Sequence, residues 1–282
     1  MNSFKDIYLA KYPGRGNVMK KMEAALGHVP VWEDFTRHGA SVIIGYLREN
    51  CAPNSARTYS AEIKSVLNEY GDVTGINVKD IFSRIRIRQV PVISVYLTPE
   101  EIRLIERYEP LRPIERSVKA RFLLESWCGA RMSDISMLQK ENIDFESMTI
   151  KYVSQKTGIM AEVPLHSKFM DYLDDARSMD VYDMTFNRTI RRICRKQGIR
   201  AKVKVFHAGK EEVGEKWEFV SSHTARRSFA TNCVLNGMSL TNVMAFMGHS
   251  DVNMTKRYIV SSKPNISDSV RRRLFGEMRK EA

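Results

Sequence analysis

His223 and Arg226 stand three residues apart in the stretch Ser221–Ile259, which continues to His249 in Met247-Gly248-His249-Ser250 and to Tyr258 nine residues later. Two imidazoles, a guanidinium and a phenol are the side chains that a metal-free enzyme needs to cut and rejoin a phosphodiester. A guanidinium meets non-bridging phosphate oxygens with a planar fork of N–H donors. An imidazole moves protons near neutral pH, and a tyrosine oxygen can act as a covalent nucleophile. Each element is weak alone. A His-x-x-Arg pair occurs on many helices, and Tyr258, one of 11 tyrosines, has the apolar neighbours Val252, Met254, Ile259 and Val260 of an ordinary core residue.

Further chemistry lies upstream. The run Cys128-Gly129-Ala130-Arg131-Met132-Ser133-Asp134-Ile135 opens a helix after a glycine, and Arg131 and Asp134 share one helix face. They form either a surface ion pair worth ~0–1 kcal/mol or a carboxylate that aims the Arg131 fork at a phosphate. The strand-like runs Thr149–Ser154 and Met160–Leu165 flank Gln155-Lys156-Thr157-Gly158, a hairpin turn with Lys156 at its tip. Lys156 is then a solvated turn residue, or a cation able to reach into a groove or protonate a leaving oxygen. Ser221-Ser222 offers a natural helix N-cap. His223 and Arg226 would then share a face near the helix end that favours anions.

The elements that must position these groups are mostly helical. Trp32–Asn50 and Asn54–Tyr70 carry apolar residues at helical spacing, the second with Asn54 as N-cap and Gly71 as stop. They belong to a helical bundle over residues 1–90. Arg84, Arg86, Arg88 and the β-branched run around Pro91 read as an extended basic segment, with a linker over 91–97. Thr98-Pro99-Glu100-Glu101 starts a helix cleanly and opens a second domain, 98–282, with a C-terminal tail over 261–282. A second hairpin is expected from Val203–Phe206 and Trp217–Val220. Arg191, Arg192, Arg195 and Lys196 begin a stretch without acids, which is a solvated helix face or a contact to a phosphate backbone. The fold class is mainly α with a small antiparallel β-sheet.

Composition fits two domains in 282 residues, with 43% hydrophobic residues. A net charge of +12 favours a polyanionic partner, most simply nucleic acid. Cys51, Cys128, Cys194 and Cys233 form no CxxC pair and suggest neither a zinc site nor a disulfide framework. No apolar run approaches the ~20 residues of a membrane span, and the N-terminus lacks the apolar stretch of a signal peptide. A cytoplasmic protein is expected, with no metal and no cofactor.

Together the motifs resemble the tyrosine recombinase (phage integrase) family, whose elements run Arg, Lys, His-x-x-Arg, His or Trp, and Tyr in chain order. The first arginine falls on Arg131, with an acid three residues on at Asp134. The hairpin lysine falls on Lys156, the His-x-x-Arg pair on His223 and Arg226, the Gly-His element on Gly248-His249, and the nucleophile on Tyr258. The resemblance covers about Thr98 to Val260, with no motif position substituted. It implies that Arg131 and Arg226 clamp the scissile phosphate with a further hydrogen bond from His249. Tyr258 then attacks to form a 3′-phosphotyrosyl bond, Lys156 protonates the departing 5′ oxygen, and His223 handles the tyrosine proton.

The same resemblance implies a helical core-binding domain and a catalytic domain forming a C-shaped clamp on double-stranded DNA with inverted-repeat sites. A homotetramer would assemble on two sites, with a tail helix carrying Ile266, Val270, Leu274, Phe275 and Met278 docking on a neighbour. The chain begins directly with the bundle, so a compact recombinase without an arm-binding domain is expected. Three readings compete with it. A type IB topoisomerase shares the chemistry, a DNA-binding regulator could keep the fold without using the site, and a metal-dependent nuclease would need a carboxylate cluster that the sequence does not display.

Overall fold

A computed structural model describes residues 2–259 apart from Arg84, Arg86 and Pro91, with His207 described by its backbone alone. The expected tail helix and the segment 261–282 therefore lie outside the described residues, as do Arg84 and Arg86. The chain divides into two compact units. One is Met1–Val92 with Phe206–Glu211, and the other is Ile93–Val205 with Glu212–Ala282.

The first unit is a helical bundle of α1 (Phe4–Lys11), α2 (Gly16–Leu26), α3 (Arg37–Asn50), α4 (Pro53–Thr74) and α5 (Val78–Phe82). Polar caps define its entries: Ser3 Oγ accepts from Asp6 N, and Thr36 Oγ1 accepts from Gly39 N. Phe4, Tyr8, Met22, Ile43, Leu47 and Leu67 close its core. The sequence places the start of α3 too early, because Trp32–Asp34 is a separate 3-10 turn. Two further expectations are corrected in α4. Ala52, not Asn54, is the N-cap, with Pro53 as the first helical residue, and the Asn54 amide instead exchanges hydrogen bonds with the backbone of Val90 at 2.8 and 2.9 Å. Gly71 lies inside the helix, where a Cβ would come 3.0 Å from the Ile76 carbonyl, and the left-handed Gly75 (φ +70°) ends it.

The second unit begins where the sequence predicts a helix start. Thr98 Oγ1 accepts from Glu101 N, and the Glu101 carboxylate accepts from Thr98 N at 2.8 Å. This caps α6 (Pro99–Glu106). The central element is α7 (Pro113–Cys128), buried along nearly its whole length, with α6, α8 (Met132–Met137), α9 (Phe169–Arg177), α10 (Asp183–Lys196) and α11 (Ser222–Leu235) around it. Residues just before α6 are tied to α11. Arg227 Nη1 donates to Ser94 Oγ, Leu97 N donates to Ser228 Oγ, and Asn232 Nδ2 donates to Leu97 O.

β1 (Ile143–Asp144), β2 (Thr149–Val153) and β3 (Met160–Pro164) form an antiparallel sheet, with Ile150 opposite Val163 and Tyr152 opposite Ala161. These four side chains face inward and their neighbours face out, the alternation a half-buried sheet requires. The second hairpin differs from expectation. It pairs β4 (Lys202–His207) with β5 (Lys210–Glu215), and Trp217–Phe219 is part of a 3-10 turn. Ala208 (φ +51°) and Gly209 (φ +83°) supply the two left-handed residues of a tight two-residue turn, which sets the strand partner earlier than the apolar run suggests. Two short helices complete the unit, α12 (Leu240–Phe246) and α13 (Val252–Lys256). No helix among the described residues is long and apolar enough to cross a membrane.

Candidate active site

Arg226 is the centre of the site. It sits on the first turns of α11, only 1% exposed, and its guanidinium is held from three sides. Nη1 donates to the carbonyl of Gly129, and Nη2 donates to Met247 O at 2.6 Å and to His249 Nε2 at 2.9 Å. Two carbonyls at loop ends and one imidazole thus fix a cation that the interior would otherwise reject. The Gly129 carbonyl is available because α7 ends there in a left-handed residue (φ +68°), against which Phe229 of α11 packs.

A Cβ at Gly129 would lie 2.4 Å from Phe229 Cδ1. We expect Gly129→Ala to lose about 2–4 kcal/mol of stability from left-handed strain and overpacking together. Denaturant titration of the variant checks this, and an unchanged midpoint would refute it.

Arg131 stands at the N-cap of α8, its side chain half-buried. The link to Asp134 runs mainly through a third residue. Arg131 Nη1 donates to Ser154 Oγ at 2.6 Å, Ser154 Oγ donates to Asp134 Oδ2 at 3.2 Å, and the direct Arg131–Asp134 separation is 3.9 Å. Asp134 is 3% exposed and also accepts from Gln155 N at 3.0 Å. One carboxylate therefore orients Arg131 and fixes the base of the turn that carries Lys156. Across that turn, Thr157 Oγ1 donates to Gly248 O at 3.0 Å, which ties it to the loop of His249. The Lys156 ammonium is exposed and makes no hydrogen bond or ion pair among the described residues. Its charge reaches His223.

His249 is 3% exposed, and both ring nitrogens are engaged: Nε2 with Arg226, and Nδ1 with Thr255 Oγ1 at 2.9 Å. Burial, then Arg226 and Arg131, push its pKa down to about 4, so the ring is neutral at pH 7. His223 is open to solvent at the start of α11. Partial desolvation, then Arg227, lower its pKa below the ordinary histidine value, leaving an imidazole able to accept a proton at neutral pH. Tyr258, just past α13, is half-buried. Its ring lies 5.5 Å from the Arg226 guanidinium carbon and 5.4 Å from the His249 ring, and its carbonyl accepts from Thr231 Oγ1 at 3.1 Å. Direct contacts thus join Arg226, His249 and Tyr258, while Arg131 is coupled to Arg226 and Tyr258 by charge. Among the described residues, no group of three or more His, Cys, Asp or Glu side chains is placed to hold a metal ion.

The Phage integrase family matches residues 96–264, more than half of the chain. The chain belongs to this family, the tyrosine-type site-specific recombinases. Curated relatives agree: "Tyrosine recombinase XerA" of Thermococcus kodakarensis is 26% identical over 231 residues, covering 80% of this chain and 77% of that protein. The XerA of Thermococcus onnurineus is 27% identical over 176 residues, covering 57% of this chain and 56% of the relative. Among solved structures, the Tn1549 transposon integrase in complex with a circular intermediate DNA superposes with a TM-score of 0.65 at 14% identity, covering 95% and 98% of the two chains. A lambda integrase dimer bound to a COC′ core site gives 0.64 at 16% identity, covering 98% and 97%.

Several residues of this recombinase site escape sequence reasoning. Ser154 bridges Arg131 and Asp134, yet it reads as an ordinary strand-end serine. Thr255 reads as one of several polar residues before Tyr258. Glu125 on α7 is 2% exposed with Oε1 unpartnered, and burial raises its carboxyl well above the usual range despite Arg226 and Arg121. Only its place four residues before Gly129 hints that it lies near the site.

The four expected cations of α10 already have intramolecular partners. Arg191 Nε donates to Val220 O at 2.8 Å and Arg192 Nη2 to Glu115 Oε1 at 2.7 Å. Arg195 stacks on Trp217 at 5.3 Å, and Lys196 lies 5.5 Å from the centre of the Tyr108 ring. Arg191, Arg192 and Arg195 border a cleft of about 550 Å³ together with Arg188, an exposed cation outside the expected set. Arg88 is exposed.

Proposed function

We propose that this chain cleaves and rejoins duplex DNA through a 3′-phosphotyrosyl intermediate, exchanging strands between two sites in the cytoplasm. The observation that carries this reading is the direct packing of Tyr258 against Arg226 and His249, with Arg131 held beside them by Ser154 and Asp134. Phosphoryl transfer asks mainly for positioning and for stabilisation of charge on the non-bridging oxygens. Arg131 and Arg226 form that clamp. The Tyr258 oxygen attacks phosphorus as the bond to the 5′ oxygen breaks. His223 takes the phenolic proton, and Lys156 gives one to the departing 5′ oxygen. Attack by a partner strand's 5′ hydroxyl on the phosphotyrosine reverses the step, and the bond energy stays in the diester, so no ATP is consumed.

A homotetramer on two inverted-repeat sites is the assembly this chemistry calls for, since two duplexes each need two nucleophiles. A lambda integrase tetramer bound to a Holliday junction has the same fold, with a TM-score of 0.57. Arg88, Arg195 and Lys196 are the exposed cations assigned to the DNA backbone, whereas Arg191 and Arg192 reach it only from their present hydrogen bonds. The direct test is a nicked suicide substrate built from inverted repeats flanking the gene. It should trap a covalent protein–DNA adduct, and a chain that binds the repeats without ever forming one is a regulator.

Lys156 has its own test. If it is the general acid, its loss should slow cleavage by ~10²–10⁴-fold. Replacing the 5′ bridging oxygen with sulfur should then rescue Lys156→Ala, because a thiolate leaves without a proton. Arg131→Ala should not be rescued. Equal, unrescued defects would mean that Lys156 only positions DNA.

A further inference from the structure

The hydrogen bonds around His249 fix where its proton sits. A guanidinium can only donate, so the 2.9 Å contact makes His249 Nε2 an acceptor, and the proton of the neutral ring must be on Nδ1. That Nδ1–H has one partner among the described residues, Thr255 Oγ1 at 2.9 Å, on a side chain with no solvent exposure. Thr255 is on α13, two residues before Arg257 and three before Tyr258, and its carbonyl accepts from Tyr258 N at 2.9 Å. The hydroxyl that accepts the ring's proton is therefore on the same turn as the proposed nucleophile.

In this tautomer His249 cannot donate to a phosphate. An oxygen that takes Arg226 Nη2 away from Nε2 would leave a bare nitrogen lone pair facing an anion, which is repulsive. Two remedies exist: the Nδ1 proton could move to Nε2, or a second proton could be added at Nε2. The first requires the Thr255 hydroxyl to turn from acceptor to donor as Nδ1 gives up its proton inside a sealed pocket. The second adds a proton on the side from which the phosphate arrives, and the Thr255 contact is kept.

We propose, on the basis of the phosphate site described above, that Thr255 pins the Nδ1 proton so that His249 takes up a second proton from solvent, on Nε2, when the scissile phosphate binds. The proton forms an N–H bond at the lone pair and donates to a non-bridging oxygen. Only the hydrogen bond from Arg226 is broken, and the proton returns to solvent when DNA leaves. Among the described residues, the charged and titratable groups that face the ring are Arg226 from α11, Arg131 from the start of α8, and Tyr258 after α13. Burial, then the two arginines, keep the free ring neutral, and the phosphate charge offsets the arginines. Thr255 is a positioning residue here, acting through His249.

Proton uptake is read by titration calorimetry of the full chain with its DNA site, at pH 7, in buffers of different ionisation enthalpy. The wild type should take up about one proton more per bound protomer than Thr255→Val, and Thr255→Ser should match the wild type. Equal uptake by wild type and Thr255→Val would overturn the proposal. Should the valine variant fail to fold, nitrogen NMR of the wild-type imidazole decides. The ring should be protonated on Nδ1 alone in the free protein and on both nitrogens in the complex, and a bare Nε2 in the complex overturns the idea. A wild type that forms the covalent adduct without this uptake refutes only the proton linkage, whereas a failure to form the adduct on bound DNA refutes the phosphodiester reading beneath it.

Discussion

Tyr258→Phe is expected to abolish the covalent adduct on a nicked suicide substrate while leaving affinity for the DNA site close to wild type. The substitution removes one oxygen and keeps the ring, so the packing at 5.4 Å on His249 and 5.5 Å over Arg226 is retained. The rest of the loop is held by the main chain, through Thr231 Oγ1 to Tyr258 O and Tyr258 N to Thr255 O. DNA affinity comes largely from phosphate contacts spread over the protein, and one phenol adds little to it. Gel analysis after denaturation reads the adduct, and a mobility shift reads the binding. An adduct surviving at wild-type level in the variant would remove Tyr258 from the role of nucleophile, and another of the 11 tyrosines would have to be sought.

Arg226→Lys is expected to slow single-turnover cleavage by roughly 10²–10³-fold, the usual consequence of losing a preorganised donor to the reacting oxygen. The positive charge survives, but the planar fork does not. A single ammonium cannot reach the Gly129 carbonyl, the Met247 carbonyl and His249 at once while also meeting a phosphate. Lysine is the informative change, because alanine at this buried position would leave two loop carbonyls unpaired and confound catalysis with folding. An electrostatic role makes a second demand. The defect should shrink when the scissile phosphate is replaced by an uncharged methylphosphonate, since there is less charge to stabilise. A variant that cleaves both substrates at the wild-type rate would show that Arg226 is a structural cation, not part of the clamp.

Much of the site is legible because its chemistry depends on residue type and order. His223-x-x-Arg226, Gly248-His249 and Tyr258 are visible as motifs, and the capped helix start at Thr98 is visible as local physics, since Thr98 and Glu101 exchange hydrogen bonds within three residues. The Lys156 hairpin is equally local, with Ser154 and Gly158 closing its turn by a 2.8 Å backbone bond. Where a second signal competed, sequence reasoning failed. Gly71 resembles a helix stop, but close approach to the Ile76 carbonyl explains it, and Trp217 resembles a strand residue because an apolar run follows a glycine. The helix α7 gives no clear amphipathic pattern because both its faces are buried. Lys119, Arg121 and Glu125 break the apolar runs, yet Lys119 Nζ finds the Tyr108 carbonyl and Arg121 finds those of Ala176 and Met179.

The sequence by itself determined which groups are present, their chain order, the helical character of the elements and the basic charge that favours a polyanionic partner. Those properties follow from side-chain chemistry and from contacts between near neighbours. Tertiary structure alone decided how the groups are held. Arg226 lies 97 residues from the carbonyl it engages at Gly129, and Arg131 lies 23 from Ser154. Such contacts exist only when helix ends and a sheet edge converge, and no local pattern records them. The protonation of His249 is decided in the same way. An imidazole in isolation has no preferred partner, and the proton settles on Nδ1 because the fold places an obligate donor at one nitrogen and a buried hydroxyl at the other.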